Sequence, residues 1–107
     1  MAWKECRTTA VFARVHVIET TPEQSEASLE IFREQLLPWL RDASGYRGVI
    51  RLVDKTNDKS LVISLWSDEQ SLAASTEAGE QLAQLTVENV GAKRLALEQY
   101  EATLFDV

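Results

Sequence analysis

Hydrophobic residues along this chain recur first with a period of two, then of about 3.6, then of two again, and these changes of period mark out its elements. From Thr9 to Glu19 the pattern is extended: Val11, Ala13, Val15 and Val17 fall on one side, and Phe12, Arg14, His16 and Ile18 on the other. β-branched residues dominate, as a pleated, half-buried surface prefers. Thr20-Thr21-Pro22-Glu23-Gln24 starts a helix, with Thr21 as cap, Pro22 at the first helical position and Gln24 closing a capping box. The stripe Leu29, Phe32, Leu36, Leu40 and Ala43 predicts that this helix runs to about Ala43 and lies on a sheet. Pro38 falls inside it, lacks an N–H and collides with the carbonyl of Glu34, which predicts a kink. Ile31, Leu37 and Trp39 sit off the stripe and leave a second contact open. Ser44-Gly45 ends the helix.

Tyr46 to Asp54 reads as the second strand, with Arg47, Val49, Arg51 and Val53 on one face and Tyr46, Gly48, Ile50 and Leu52 on the other. Lys55 to Lys59 is a polar turn, and Ser60 to Ser67 returns as a third strand. That strand is apolar on both faces and is expected at the centre of the sheet. Ser67 caps a second helix, which an internal cap at Ser75-Thr76 is expected to interrupt; it resumes to about Val90, with Leu82, Leu85 and Val90 inward and Gly91 as its stop. A last strand runs from Leu95 to Phe105, alternating Leu95, Leu97 and Gln99 against Ala96, Glu98 and Tyr100. The expected fold class is α+β: a ferredoxin-like βαββαβ antiparallel sheet with both helices on one face. The other face is left bare, carrying Val49 and Val53 with Phe12 and Ile18. A bare apolar face of that size calls for a cover, and the simplest is a second copy, so a homodimer through the sheet face is expected.

The chain has 107 residues, enough for one domain spanning 1–107 with its core at about 9–106. Its net charge of −6, with Lys and Arg scattered, argues against nucleic acid and anionic membranes as partners. No apolar run is long enough for a signal peptide or a membrane span. One cysteine, Cys6, reads as an inert thiol near the terminus; the expected compartment is the cytoplasm. No cluster has metal-ligand spacing, and neither a phosphate loop nor a nucleophile elbow is present, so metalloenzymes, kinases, dinucleotide enzymes and hydrolases are disfavoured.

The βαββαβ order, the helix start TTPEQ, the strand GYRGVIRLV and the run LVISLWSDEQSL resemble the dimeric α/β-barrel superfamily over roughly residues 10–105. Within it, the likeness is to the antibiotic-biosynthesis-monooxygenase-like branch, in which the third strand ends in an aromatic followed by a polar cap and a helix. Trp66-Ser67-Asp68-Glu69 fits that pattern. The resemblance implies two sheets packed face to face, each with a cavity between sheet and helices. Some relatives oxidise aromatic rings with O2 and without metal or flavin, and others open haem. The haem-opening members use Asn on the first strand, and Trp and His in the second helical region. Here the matching places hold Ala13 or its neighbours, Ser75 and Leu85, so haem degradation is not expected. The expected activity is a cofactor-free monooxygenase acting on a small aromatic or apolar substrate; the alternative is a non-catalytic homodimeric module that binds a small ligand or simply dimerises.

His16, the only histidine, is a candidate proton shuttle, or else a structural residue. Arg51 with Arg14 could hold a phenolate oxygen if both point into one space; otherwise they pair with Glu98, Glu101 or a partner's acids. Trp66 and Tyr100 could line an aromatic cavity, Trp66 alternatively being plain core and Tyr100 a dimer contact. The candidate site is thus His16 and Arg51 as catalytic residues, and Arg14, Trp66 and Tyr100 as substrate-binding residues. Glu19, Glu23, Glu26, Glu30 and Glu34 read as a solvated helix face.

Overall fold

The computed structural model describes residues 11–104 and residue 106, with the side chains at 82, 83, 85–87, 89 and 90 outside that description. Expectations for Cys6, the Thr9 start of the first strand, Phe105, and the inward side chains of Leu82, Leu85 and Val90 lie outside the described residues. The elements are β1 (Val11–Glu19), α1 (Pro22–Ile31), a π-helical turn (Phe32–Leu36), α2 (Leu37–Asp42), β2 (Tyr46–Asp54), β3 (Lys59–Trp66), α3 (Glu69–Val90) and β4 (Lys93–Ala102). All strand pairs are antiparallel and the order across the sheet is β2-β3-β1-β4, the ferredoxin-like arrangement, with β3 central as its two-sided apolar pattern predicts.

The first helix starts as its capping box dictates. Gln24 N–H donates to Thr21 Oγ1 (3.2 Å), and Thr21 N–H donates to Gln24 Oε1 (3.0 Å). Pro38 does not produce a simple break. The turn before it widens, so that Leu37 N–H reaches the carbonyl of Phe32, and α2 restarts with Pro38 in its first turn. The core follows the expected stripe: Phe32, Leu36 and Leu40 join Val62, Trp66 and Leu72 under the helices.

Two features differ from the simple alternation. The pairing of β2 with β3 shifts between Tyr46 and Gly48, which swings Tyr46 onto the helix side, where its ring meets Trp66 edge to face at 6.1 Å. The pairing of β1 with β4 shifts between Val17 and Ile18: Val17 faces Ala96, but Ile18 faces Arg94, with Leu95 as the extra residue. The parity of the bare face also needs correction. Phe12, Ile18 and Val49 pack on the helix-side core, and Val53 lines a recess beside α1. The uncovered face instead carries cross-strand rows such as Leu52–Leu61–Val17 and Ile50–Ile63–Val15. Ile50 and Leu52 are 45% and 48% exposed there.

α3 is continuous, against the expected interruption at Ser75-Thr76. Both hydroxyls bond back to the carbonyl of Leu72 (2.9 and 3.0 Å), a geometry compatible with an unbroken helix. Its cap is Asp68 rather than Ser67: Asp68 Oδ1 accepts from Ser71 N–H at 2.7 Å, while Ser67 Oγ donates to the other carboxylate oxygen. Among the described residues no helix is long and apolar enough to cross a membrane.

Candidate functional site

β1 turns its even-numbered residues toward the helices, so the alternation that makes it a strand also delivers Arg14 and His16 into the interior. Arg14 is 2% exposed and His16 7%. Burying a guanidinium is costly unless oxygens surround it. α3 supplies them: Arg14 Nη2 donates to the Leu72 carbonyl (2.7 Å), to Thr76 Oγ1 and to Ser75 Oγ (3.4 Å). The approach requires a residue without a side chain on the next turn of α3. A Cβ at Gly79 would stand 3.0 Å from Arg14 Nη1 and 3.2 Å from the Trp39 ring. These oxygens are all neutral; no carboxylate among the described residues bonds Arg14, so the expected pairing with Glu98 or Glu101 is not what holds it. Burial lowers the Arg14 pKa and Glu80 partly restores it, but a guanidinium stays charged.

His16 lies in the same row as Val62 of β3 and Leu97 of β4. Burial, then the neighbouring charges of Arg14 and Arg94, push its pKa down to about 4, with Glu80 opposing. It is therefore neutral at pH 7, and its Nδ1 has no hydrogen-bond partner among the described residues. Trp66 is fully buried, and its indole N–H donates to Ser64 Oγ (3.0 Å) on the same face, one row from Arg14. Four of the five candidate residues, Arg14, His16, Trp66 and Arg51, thus share the helix-covered face.

Arg51 and Tyr100 nevertheless stand apart from the other three. Arg51 is on that face too, but its guanidinium is directed at α1, where Nη2 donates to Ser25 O (2.9 Å), Ser25 Oγ (3.0 Å) and Ser28 Oγ (3.0 Å). Arg14 is held by α3 and Arg51 by α1, so the two heads do not converge on one oxygen. Arg51 lines a separate recess of ≈ 430 Å³ with Thr20, Leu29 and Val53. Tyr100 pairs with Ala13, on the uncovered side; it is 53% exposed, and its phenol pKa is raised by the Glu98 carboxylate. The sheet separates Tyr100 from Trp66. Of the positions compared with haem-opening relatives, Ala13 is on the uncovered side, Ser75 is a buried contact of Arg14, and the side chain of Leu85 lies outside the description.

One residue was missed by sequence reasoning. Strict alternation from Leu97 puts Arg94 on the uncovered face. The irregularity at Leu95 turns it instead toward the helices, where it bonds Glu80 of α3 at 2.9 Å. Arg94 and Glu80 form one wall of a recess of ≈ 560 Å³ with Gln81, Gln84 and Glu88. No residue-type pattern reveals a β-bulge in advance.

A family model described as antibiotic biosynthesis monooxygenase matches residues 11–85. The chain belongs to this family. The matched span runs from β1 into α3 and so includes Arg14, His16, Trp66 and Glu80, but stops before β4. No curated protein matches the sequence. Solved structures share the fold. A monooxygenase of Streptomyces coelicolor, crystallised with the ligand nanaomycin D, has 13% identity and a TM-score of 0.65, covering 97% of this chain and 94% of its own. A protein of unknown function from Nitrosomonas europaea has 18% identity and a TM-score of 0.67, covering 92% and 95%. A conserved protein of Methanosarcina mazei has 13% identity and a TM-score of 0.66, covering 91% and 95%. At these identities the likeness establishes the fold.

Proposed function

We propose that this chain is a cofactor-independent monooxygenase that oxidises a small, flat phenolic ring with O2 and works as a homodimer. The observation that carries the reading is the pairing, under the helices, of a buried guanidinium and a neutral histidine that have, among the described residues, no carboxylate bonded to the first and no partner for Nδ1 of the second. In low-dielectric surroundings a positive charge strongly favours the phenolate over the phenol. His16 can accept the phenol's hydrogen bond, and its proton affinity rises once an anion sits beside it and offsets the two arginines. The electron-rich phenolate reduces O2. One oxygen atom enters the ring, and the other leaves as water with the two hydrogens the ring loses. Trp66 supports this site from below rather than touching solvent.

Family membership and the fold shared with the Streptomyces coelicolor monooxygenase support the reading. The dimer is supported by the uncovered sheet face, whose Ile50, Leu52, Leu61 and Ile63 would otherwise meet water. A second reading, a dimeric ligand-binding module without turnover, is favoured by one fact: Glu80, the carboxylate whose charge acts on His16, is already paired with Arg94 and is not free to act as a base. Incubating the protein with a panel of phenols and naphthols under O2, scored by mass spectrometry, separates the two. Gain of one oxygen and loss of two hydrogens is expected, with turnover falling about 100-fold in Arg14→Met, the size seen when one preorganised charge stabiliser is removed. Turnover equal to the unaltered protein in both Arg14→Met and His16→Gln would end the mechanism.

A further inference from the structure

Three buried nitrogen atoms lack a hydrogen-bond partner among the described residues: Arg14 Nε, His16 Nδ1 and Arg94 Nη1. Buried polar atoms left bare cost free energy, and native folds keep them few. Here they are neighbours. Arg14 and His16 are two positions apart on one face of β1, the shifted pairing brings Arg94 to the same face, and both guanidiniums act on His16. The charges do not cancel either. Arg14 and Arg94 are cationic, Glu80 supplies one negative charge, and His16 is neutral at pH 7, so one positive charge is left where water is largely excluded. A recess open to solvent lies between α3 and β4, with Arg94 in its wall.

We propose that Arg94 is the residue that selects the ligand, offering its free Nη1 to the ionised oxygen of an acidic phenol or enol, so that the site holds its ligand more tightly as a monoanion than as a neutral molecule. The inference deepens the functional reading and rests on its placing of the site on the helix-covered face. Glu80 is the positioning residue: it holds Nη2 at 2.9 Å and leaves Nη1 turned inward. The acidic rim does not oppose the anion strongly. Glu80 is neutralised by Arg94, and Glu88 is exposed, where water and salt screen it. Arg94 lies on β4, beyond the span that the family model matches.

Calorimetric titration of the full chain with 4-nitrophenolate and with its neutral methyl ether, 4-nitroanisole, tests the proposal without turnover. The anion is expected to bind at least about tenfold more tightly, the worth of one charge-assisted hydrogen bond. Arg94→Gln should abolish that preference and Arg94→Lys should keep most of it. Equal affinities for the two probes in the unaltered protein overturn the proposal, whether or not any variant folds. So does an Arg94→Gln protein with a native circular-dichroism spectrum and an intact preference. Selective binding of the anion with no oxidation of any phenol leaves the proposal standing and removes the monooxygenase; oxidation of phenols by a protein that binds both probes alike does the reverse.

Discussion

The two faces of the sheet are built on opposite plans. The face under the helices carries Arg14, His16, Ser60 and Ser64, all less than a tenth exposed, among Trp66, Val62 and the aromatic and aliphatic side chains of the π-helical turn and α2. The face without helices carries Val15, Val17, Ile50, Leu52, Leu61 and Ile63. A half-buried sheet ordinarily places apolar residues under cover and polar ones in water. Here charge is under cover and aliphatic surface is open. Selection for stability alone gives neither feature: a buried cation without a counter-ion costs free energy, and a bare aliphatic face invites association. The proposed function assigns the covered face to ligand binding and the open face to a subunit contact.

The contrast can be tested by variants on each face, beginning with the largest effect. Trp66→Ala removes a fully buried indole beneath the site and is expected to cost about 3–5 kcal/mol in denaturant unfolding; a loss under 1 kcal/mol would mean the covered face is loosely packed. On the open face, Ile63→Asp should weaken self-association by on the order of 3 kcal/mol, since a carboxylate would be buried unpaired between two sheets. Light scattering that reports the same mass for this variant and the unaltered chain at micromolar concentration would show that the open face is not the interface.

His16 gives a pH-dependent test of the covered face. Its pKa falls from an ordinary 6.5 to about 4 on folding, so the unfolded chain binds the extra proton first. The neutral imidazole is fully accommodated above pH 6.5, and stability is lost as pH falls from 6.5 toward 4, by up to about 3 kcal/mol. Subtracting the curve for His16→Gln isolates this contribution from that of the carboxylates; identical slopes in that window for both proteins would contradict the burial of His16.

Two arginines give the smaller effects and the finest distinction. Arg14→Met replaces a buried charge with an apolar chain of similar length, and the Ser75 and Thr76 hydroxyls keep their bonds to Leu72 O. Its unfolding free energy should change by no more than about 1 kcal/mol, and can rise, while turnover collapses. Arg51→Ala should cost about 1 kcal/mol through lost bonds to Ser25 and Ser28 and leave phenol oxidation within about twofold, because its guanidinium is directed at α1. A large catalytic defect in Arg51→Ala would place the reacting centre at the recess beside α1 instead.

Much of this was legible in the residues. The capping box at Thr21-Gln24, the stripe through Phe32, Leu36 and Leu40, and the two-residue period of β1 and β3 depend on neighbours in sequence, so they can be read without a fold. Arg14, His16 and Trp66 could be named for the same reason: they are charged, titratable or aromatic residues on regular strands. What failed was parity. Tyr46 and Arg94 each sit beside an irregularity in strand pairing, and one extra residue reverses the face that everything beyond it presents. Ser75 and Thr76 misled in another way, since hydroxyls that look like a fresh cap are here folded back onto their own helix while they surround Arg14.

The order of elements, the start of the first helix and the alternation along each strand were determined by the sequence itself, because periodicity and capping are local properties. Which face each side chain reaches, which helix each arginine is held by, and that Arg94 joins Arg14 and His16 were decided only by tertiary structure. Those outcomes turn on pairing register between segments far apart in the chain, and register is a property of two strands, not of one.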